Sequence, residues 1–159
     1  MKKMMALLLG LMCAVGLAAC GSQEQESAGE TPYDLAQVQA MVDTGAFSEE
    51  LEELDADTAF MLYKLADYGL VREDLTGAAV LRSAGATCEE GAVLIFVDDE
   101  KAAKAAEAVG DYLEGQIESN TDYRPDEIPK LEGAVLKVKG PSVLLAVAND
   151  AAAVRNTLE

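Results

Sequence analysis

Cysteine thiols and carboxylates are the candidate chemical groups considered first in this sequence, whose 159 residues include no histidine. Without histidine, a Ser-His-Asp or Cys-His catalytic arrangement cannot form, and neither can a histidine-containing zinc site. The 29 acidic residues supply many carboxylates, but no spacing among them singles out an acid–base pair. The sequence therefore predicts no catalytic residue, no metal site and no cofactor.

Cys20 is the cysteine with the most informative surroundings. Lys2 and Lys3 precede an apolar segment, residues 4–17, and small residues then lead into Cys20. A charged start, a short apolar stretch and a small-residue cleavage site are the layout of a secretory signal. The apolar stretch is shorter than the ~20 residues that a membrane-spanning helix needs. We therefore predict that the chain is exported and that residues 1–19 are a signal peptide.

The residues at the predicted cleavage site resemble the lipobox of bacterial lipoproteins. They are Leu17, Ala18, Ala19 and Cys20. The resemblance implies that Cys20 carries a diacylglyceryl group and anchors the protein to the extracytoplasmic face of the cell membrane. A plain signal-peptidase site with an unmodified cysteine is the alternative. Two or three acyl chains on one cysteine would make the attachment effectively permanent, since each buried CH₂ contributes ~0.8 kcal/mol.

The charge of the chain restricts its partners. It has 12 basic and 29 acidic residues, a formal net charge of −17, and loss of Lys2 and Lys3 with the signal peptide would make this charge more negative by two. So strong a negative charge argues against binding nucleic acid and against electrostatic docking onto anionic lipid. The predicted contact with the membrane is therefore the diacylglyceryl group on Cys20.

Cys88 is the cysteine that remains once Cys13 leaves with the signal peptide and Cys20 is lipidated. No disulfide within the mature chain can form, despite the predicted export. A reactive thiol, or a disulfide to another chain, is one interpretation. We favour a buried side chain that packs like a small apolar residue, because free cysteines are among the most buried residues in proteins.

The mature chain is predicted to have two parts. Residues 20–33 contain the lipidated cysteine and then small and polar side chains, which are typical of a flexible tether. Residues 34–159 are long enough for one globular domain with its own core, but not for two.

The spacing of apolar residues predicts an α+β domain. Short N-terminal helices are expected first, followed by two strand pairs that each lead into a helix. We expect a two-layer sandwich, with an antiparallel sheet of about four strands in ββα-ββα order and both of these helices on one face. The expected helices are residues 34–44, 58–68, 99–119 and the C-terminal residues after Asn149-Asp150, and the expected strands are 78–84, 91–98, 134–139 and 142–147.

The two halves of this pattern also align with each other. Residues 93–103 match residues 143–153 at an offset of 50 residues, and each segment passes from an apolar strand into a capped helix. An internal duplication would explain the match. Generic helix-capping chemistry after a strand would explain it equally well.

An acidic run occupies residues 49–57. We expect a solvated turn of helix, with Leu51 and Leu54 facing the core and Asp55 or Asp57 capping the helix that follows. A divalent-cation site is the alternative. An EF-hand loop needs oxygen ligands at fixed positions and a central glycine, and this run has neither.

Several motifs are shared with a known group of proteins. They are Leu-Glu-Glu-Leu-Asp-Ala-Asp at residues 51–57, Leu62-Tyr63 with Gly69-Leu70, Thr87-Cys88-Glu89-Glu90-Gly91 ahead of residues 93–97, and Lys-Gly-Pro-Ser-Val-Leu-Leu-Ala-Val at residues 139–147. In these motifs the chain resembles small bacterial lipoproteins, mostly from Gram-positive cells, that carry a single domain of unknown function. The resemblance covers residues 34–159 and implies a location and a fold, but no activity. Its members usually have a small residue at the position of Cys88, which argues against a family role for this thiol.

The predicted function is that of a lipid-anchored envelope protein that binds an unknown protein or ligand without catalysing a reaction. Tyr123 and Arg124 are the candidate partner contacts, because they place an aromatic ring and a cation on one loop, with Tyr112 nearby. Packing of that loop against the domain is the alternative role for these side chains. A cell-envelope hydrolase that uses two carboxylates and an accessory solute-binding lipoprotein are the other functions considered. Solute-binding proteins usually close two domains over their ligand, and this chain has room for one.

Overall fold

The computed structural model describes residues 31–158. The predicted signal peptide, Cys20 and most of the predicted tether lie outside the described residues. Within them, five strands form one antiparallel sheet in the order β1-β2-β3-β5-β4. The strands are β1 (Glu52–Leu54), β2 (Leu75–Arg82), β3 (Glu90–Phe96), β4 (Val135–Lys139) and β5 (Ser142–Val147).

The helices of the described region are one long helix and several short ones. They are α1 (Ala36–Asp43), α2 (Ala56–Leu62), α3 (Asp99–Asn120), α4 (Ile128–Glu132) and α5 (Ala151–Asn156), with 3₁₀ turns at Leu65–Tyr68, Arg72–Asp74 and Pro125–Glu127. Asp98 caps α3 by accepting a hydrogen bond from the backbone N–H of Lys101, and Asp150 caps α5 in the same way. Both caps confirm the prediction. None of these helices combines the length and the apolar character that crossing a bilayer requires.

Helices cover both faces of the sheet. Side chains of α2, α3 and α4 pack with Leu94 in one core, whereas side chains of α1 and α5 pack with Val93 in the other. Alternate residues of β3 point into the two cores, as expected for a central strand that is buried on both sides. The α+β class and the antiparallel sheet are confirmed.

The prediction that the helices after the two strand pairs, α3 and α5, lie on the same face of the sheet is wrong. All six residues of β5 are buried, so this strand needs cover on both sides. Val154 of α5 packs with Leu144 on the face opposite α3. The described region is therefore a sheet between two helical layers rather than a two-layer sandwich.

The sheet has a fifth strand that the sequence pattern does not show. Glu52 pairs with Arg82 and Leu54 with Val80, so β1 forms one edge of the sheet within the acidic run. The expected helical turn at this position is wrong, because backbone pairing to β2 holds the run extended. Asp55 caps α2 by accepting hydrogen bonds from two backbone N–H groups, as predicted.

The half-repeat is not a symmetry of the structure. Val93 and Val143 occupy equivalent positions at the 50-residue offset, yet Val93 lies in one core and Val143 in the other. The helices that follow the two strands therefore leave toward opposite faces. The order β2-β3-α3 and β4-β5-α5 is present, with β1 and α2 ahead of it and α4 between the halves.

Tyr33, the last residue of the predicted tether, contacts the sheet. Tyr33 is 3% exposed, and its backbone N–H donates a 2.8 Å hydrogen bond to the hydroxyl of Ser142. The ammonium group of Lys139 lies 5.2 Å from the centre of the Tyr33 ring. Tyr33 thus packs against the β4–β5 hairpin before α1 begins.

Candidate functional site

A cleft of about 550 Å³ lies between α3 and the segment that follows α2. Three tyrosines line it, and charged side chains stand beside them. These residues are Tyr63, Tyr68, Tyr112, Lys64, Asp67 and Asp111. The volume falls within the range of small-molecule sites in proteins, and aromatic walls with a few polar groups are typical of such sites.

The end of α2 and the 3₁₀ turn that follows it form one wall of this cleft. The predicted helix 58–68 ends after Leu62, and Lys64 then adopts a left-handed conformation with φ 51°. Tyr63 and Leu65 are both buried in the same core. Residues i and i+2 of a helix point in directions about 200° apart, so a continuous helix could not bury both side chains in one core. The prediction of one helix is therefore wrong, and the chain continues as a 3₁₀ turn.

Glu90 lies beneath the cleft and holds two of its tyrosines. The Tyr112 hydroxyl donates a 2.7 Å hydrogen bond to Oε2 of Glu90, and the Tyr63 hydroxyl donates to Oε1. Nε of Arg82 lies 3.2 Å from the same carboxylate. Burial raises the pKa of Glu90, and the hydrogen bonds from Tyr63, Tyr112 and Arg82 oppose this effect.

This arrangement positions the tyrosines rather than presenting a catalytic acid. Glu90 is 1% exposed and does not line the cleft. Its two oxygens accept from two phenols and face a guanidinium. The rings of Tyr63 and Tyr112 also meet edge to face, with their centres 5.2 Å apart. The carboxylate and its partners therefore fix the inner wall of the cleft.

A hydrogen bond links the outer walls of the cleft. The hydroxyl of Tyr68, in the 3₁₀ turn, donates to the carboxylate of Asp111, on α3. This bond, with the nearby negative charge, raises the pKa of Tyr68 to about 12. Asp111 belongs to a row of exposed carboxylates on α3, with Glu107, Glu114 and Glu118.

A second cavity of about 230 Å³ adjoins the cleft. Gln116 of α3 lines both cavities, and two arginines, Arg82 and Arg124, line the second one. The guanidinium of Arg124 donates a 3.3 Å hydrogen bond to the backbone carbonyl of Thr87. The two cavities together therefore carry carboxylates at one end and guanidinium groups at the other.

Tyr123 and Arg124, the candidate partner contacts, take different positions. Tyr123 is 78% exposed, and the Arg124 guanidinium carbon lies 5.6 Å from the centre of its ring. Arg124 itself is half-buried and faces the second cavity. Tyr112 donates its hydrogen bond to Glu90 and does not line that cavity. The loop thus presents an exposed ring and directs its cation inward.

Cys88 also lines the second cavity and is 8% exposed, which confirms the prediction of a buried thiol. Burial raises the pKa of the Cys88 thiol, and the carboxylate of Glu127 adds to the effect, whereas Arg124 and Arg82 oppose it. Such a thiol has little thiolate character near neutral pH.

Glu89 anchors the start of β3 on the other side. It is fully buried and accepts hydrogen bonds of 2.7 Å from both the backbone N–H and the hydroxyl of Ser48. Nζ of Lys130 lies 2.8 Å from it and 3.0 Å from Glu127. Burial lowers the pKa of Lys130, but the hydrogen bonds to both carboxylates outweigh burial and raise it. These contacts attach α4 to the sheet.

The remaining predicted residues form no common site. Leu17, Ala18, Ala19 and Cys20 lie outside the described residues. In the acidic run, Glu49 accepts a hydrogen bond from the Thr87 hydroxyl, and Asp57 pairs with Arg72 at 2.6 Å. Between residues 31 and 158, no group of three or more acidic or cysteine side chains could hold a metal ion.

The buried carboxylates are the feature that sequence reasoning missed. The expected strand 91–98 corresponds to β3, which begins one residue earlier, so that Glu90 belongs to the strand. The available signal was a pair of glutamates directly ahead of the most apolar strand. The partners of Glu90, Tyr63 and Tyr112, lie 27 and 22 residues away in sequence, so only the tertiary fold brings them together.

Comparison with known proteins places the chain in a family. No curated protein shows significant similarity, and no solved structure does. Residues 48–148, well over half of the chain, match the family described as "Domain of unknown function (DUF4358)". The match includes β1 to β5, the cleft and both buried glutamates. The chain therefore belongs to the DUF4358 family.

Proposed function

We propose that this protein is a lipid-anchored, non-catalytic binding module and that the cleft between α3 and the α2 segment holds its ligand. The observation that carries the proposal is the cavity of about 550 Å³ with tyrosine walls and charged side chains. The absence of histidine from the sequence supports a non-catalytic role. So does the position of Glu90, whose oxygens are occupied by protein donors.

The location in this proposal rests on the first 20 residues. A charged start, a short apolar segment and Leu17-Ala18-Ala19-Cys20 are the layout of an exported bacterial lipoprotein. We infer that Cys20 is the first residue of the mature protein and that its acyl chains hold the domain at the extracytoplasmic face of the cell membrane. The family match adds no evidence on this point.

Mass spectrometry of the N-terminal peptide tests the anchor. We expect a peptide that begins at Cys20 and carries a diacylglyceryl thioether, and we expect Cys20→Ala to abolish membrane association after cell fractionation. An unmodified Cys20, or an uncleaved leader on the native protein, would overturn this part of the proposal.

Two glycines of α3 give a matched pair of variants for testing the cleft. Gly115 lines the cleft and Gly110 does not, and at both positions an added Cβ would meet no atom within 4 Å. Replacing either glycine by leucine should stabilise the helix by about 0.5–1 kcal/mol. Gly115→Leu fills cleft volume, whereas Gly110→Leu leaves the cleft open.

The measurement is a thermal-shift screen of the lipidated protein in detergent. The probes are neutral, cationic, anionic and zwitterionic molecules between an amino acid and a tetrapeptide in size. We expect at least one probe to raise Tm in the native protein and in Gly110→Leu, and to have no effect in Gly115→Leu. If no probe changes Tm, or if Gly115→Leu responds as the native protein does, the cleft is not the ligand site.

A further inference from the structure

The two adjoining cavities carry opposite charges that the described residues do not neutralise. In the cleft, Asp67 and Asp111 form no ion pair with any residue in the described region, and they outnumber the single cation, Lys64. Asp111 accepts a hydrogen bond from the neutral Tyr68 hydroxyl. The cleft therefore favours a positively charged group.

The second cavity has the opposite character. Arg82 is paired with Glu90, but Arg124 forms no ion pair within residues 31–158. Its described contacts are the carbonyl of Thr87, the ring of Tyr123 and the thiol of Cys88. A guanidinium with unused N–H donors in a polar cavity suits a carboxylate, which it can bind with two parallel hydrogen bonds. Without this guanidinium, the net charge of −17 would disfavour binding of a carboxylate.

The distance between the two ends can be estimated from α3. Asp111 lines the cleft and Asn120 lines the second cavity, and nine residues of helix at 1.5 Å per residue span ~13 Å. An extended chain of about four residues covers the same distance at ~3.3 Å per residue. Gln116 lies between the two ends, and its amide can both donate to and accept from a peptide backbone.

We propose that the cleft and the second cavity together bind a short extended peptide of about four residues, with its free ammonium group at Asp111 and its free carboxylate at Arg124. This inference rests on the proposed function, since it assigns a ligand class to the same cleft. A metal ion is a poorer fit to the acidic end, because no three acidic side chains converge there within the described chain. A peptide terminus needs a single carboxylate and an aromatic wall, and both are present.

Calorimetric titration of the lipidated protein in detergent with tetra-alanine tests the inference. We expect tetra-alanine with free termini to bind, and we expect its N-acetylated and C-amidated forms to bind about tenfold more weakly. Dialanine should also bind more weakly, because it cannot reach both ends. Equal affinity for the free and blocked peptides, or for dialanine and tetra-alanine, would overturn the inference.

Two variants locate the ends of the peptide. Arg124→Gln should weaken binding of free tetra-alanine about tenfold and leave the affinity for the C-amidated peptide unchanged. Asp111→Asn should do the same for the N-acetylated peptide. The controls are Arg155→Gln and Asp43→Asn, which change the same side-chain types on α5 and α1, on the opposite face of the sheet. A variant that weakens free and blocked peptides equally would contradict the assigned end.

The two proposals fail in different ways. If tetra-alanine does not bind but another probe raises Tm in Gly110→Leu and not in Gly115→Leu, the cleft is a ligand site and the peptide inference is wrong. If neither tetra-alanine nor any probe binds, both are wrong. The free and blocked peptides are compared on the lipidated protein without any substitution, so this comparison does not depend on the folding of a variant.

Discussion

Tyr112 donates a 2.7 Å hydrogen bond to Glu90 and thereby ties the middle of the longest helix to the first residue of the central strand. The acceptor is 1% exposed, so its hydrogen bonds come from protein donors rather than from solvent. A buried acceptor without its donor costs free energy, whereas the same bond at the surface contributes little. The stability of the cleft wall should therefore depend on this pair.

Removing the Tyr112 hydroxyl tests that dependence. We expect Tyr112→Phe to lower the free energy of unfolding by about 1.5–3 kcal/mol, because it removes a buried hydrogen bond to a carboxylate and keeps the ring. Urea denaturation provides the measurement. Tyr68→Phe is the control, and it should have a smaller effect because its partner Asp111 is exposed. Equal losses for the two variants would contradict a special role for Glu90.

The contribution of Glu90 to stability should decrease as the pH rises, because Glu90 is a buried carboxyl with a raised pKa. The ordinary pKa of Glu90 is 4.5, and burial raises it in the folded state. Between pH 4.5 and the raised pKa of the folded state, the folded protein binds a proton that the unfolded chain has lost. The stability contributed by Glu90 is therefore present at acid pH and decreases as the pH rises above 4.5. We therefore expect the difference in stability between the native protein and Glu90→Gln to decrease from pH 4.5 toward neutral pH. A difference that grows over this range would refute the prediction.

Asp74 provides a comparison of opposite sign. The backbone N–H of Val71 and the ammonium group of Lys101 lower the pKa of Asp74 from its ordinary value of 3.8. Its contribution to stability is thus present above pH 3.8 and is lost as the pH falls through the lowered value. The difference between the native protein and Asp74→Asn should accordingly shrink on acidification, as measured by urea denaturation at several pH values.

Lys130 should matter more than its surface position on α4 suggests. Its ammonium group pairs with the fully buried Glu89, and removing it leaves this carboxylate with the hydrogen bonds from Ser48 but with no ion-pair partner in the described region. We expect Lys130→Met to lower the free energy of unfolding by about 3 kcal/mol. Lys104→Met, which breaks the exposed pair with Glu100, should change stability very little. Similar effects of the two substitutions would show that Glu89 is paired sufficiently by Ser48 alone.

Cys88 should react slowly while the protein is folded. Burial raises the pKa of its thiol and reduces the thiolate fraction on which alkylation depends. We expect iodoacetamide to modify Cys88 roughly tenfold more slowly in the native protein at pH 8 than in denaturant, as followed by mass spectrometry. Arg124→Gln should slow the native reaction further, because it removes a cation that favours the thiolate. Equal rates in the two states would contradict the buried assignment.

The elements that were predicted correctly have strong local signals. The continuous apolar run at residues 92–97 indicated a strand, and the structure places this strand, β3, in the centre of the sheet. The small and apolar stripe of α3 and its cap at Asp98 defined the longest helix to within one residue at its C-terminus. In each case, neighbouring residues supply the cause, so the sequence alone is sufficient.

The features that were missed depend on distant residues. β1 is a three-residue edge strand with two exposed glutamates, and pairing with β2 rather than its own composition makes it a strand. The face on which α5 packs is decided by the need to cover β5. The burial of Glu90 depends on Tyr63 and Tyr112, which no periodicity connects to it. The candidate site therefore depends on contacts between residues that are far apart in the sequence.

The burial of Tyr33 has a mechanical consequence. This residue joins the preceding chain to the β4–β5 hairpin through the Ser142 hydroxyl and the Lys139 ammonium group. A pulling force applied to the chain at Tyr33 would act on this contact before it acted on any strand pair. Tension applied there would have to detach the Tyr33 side chain before it acted on the backbone hydrogen bonds of the sheet.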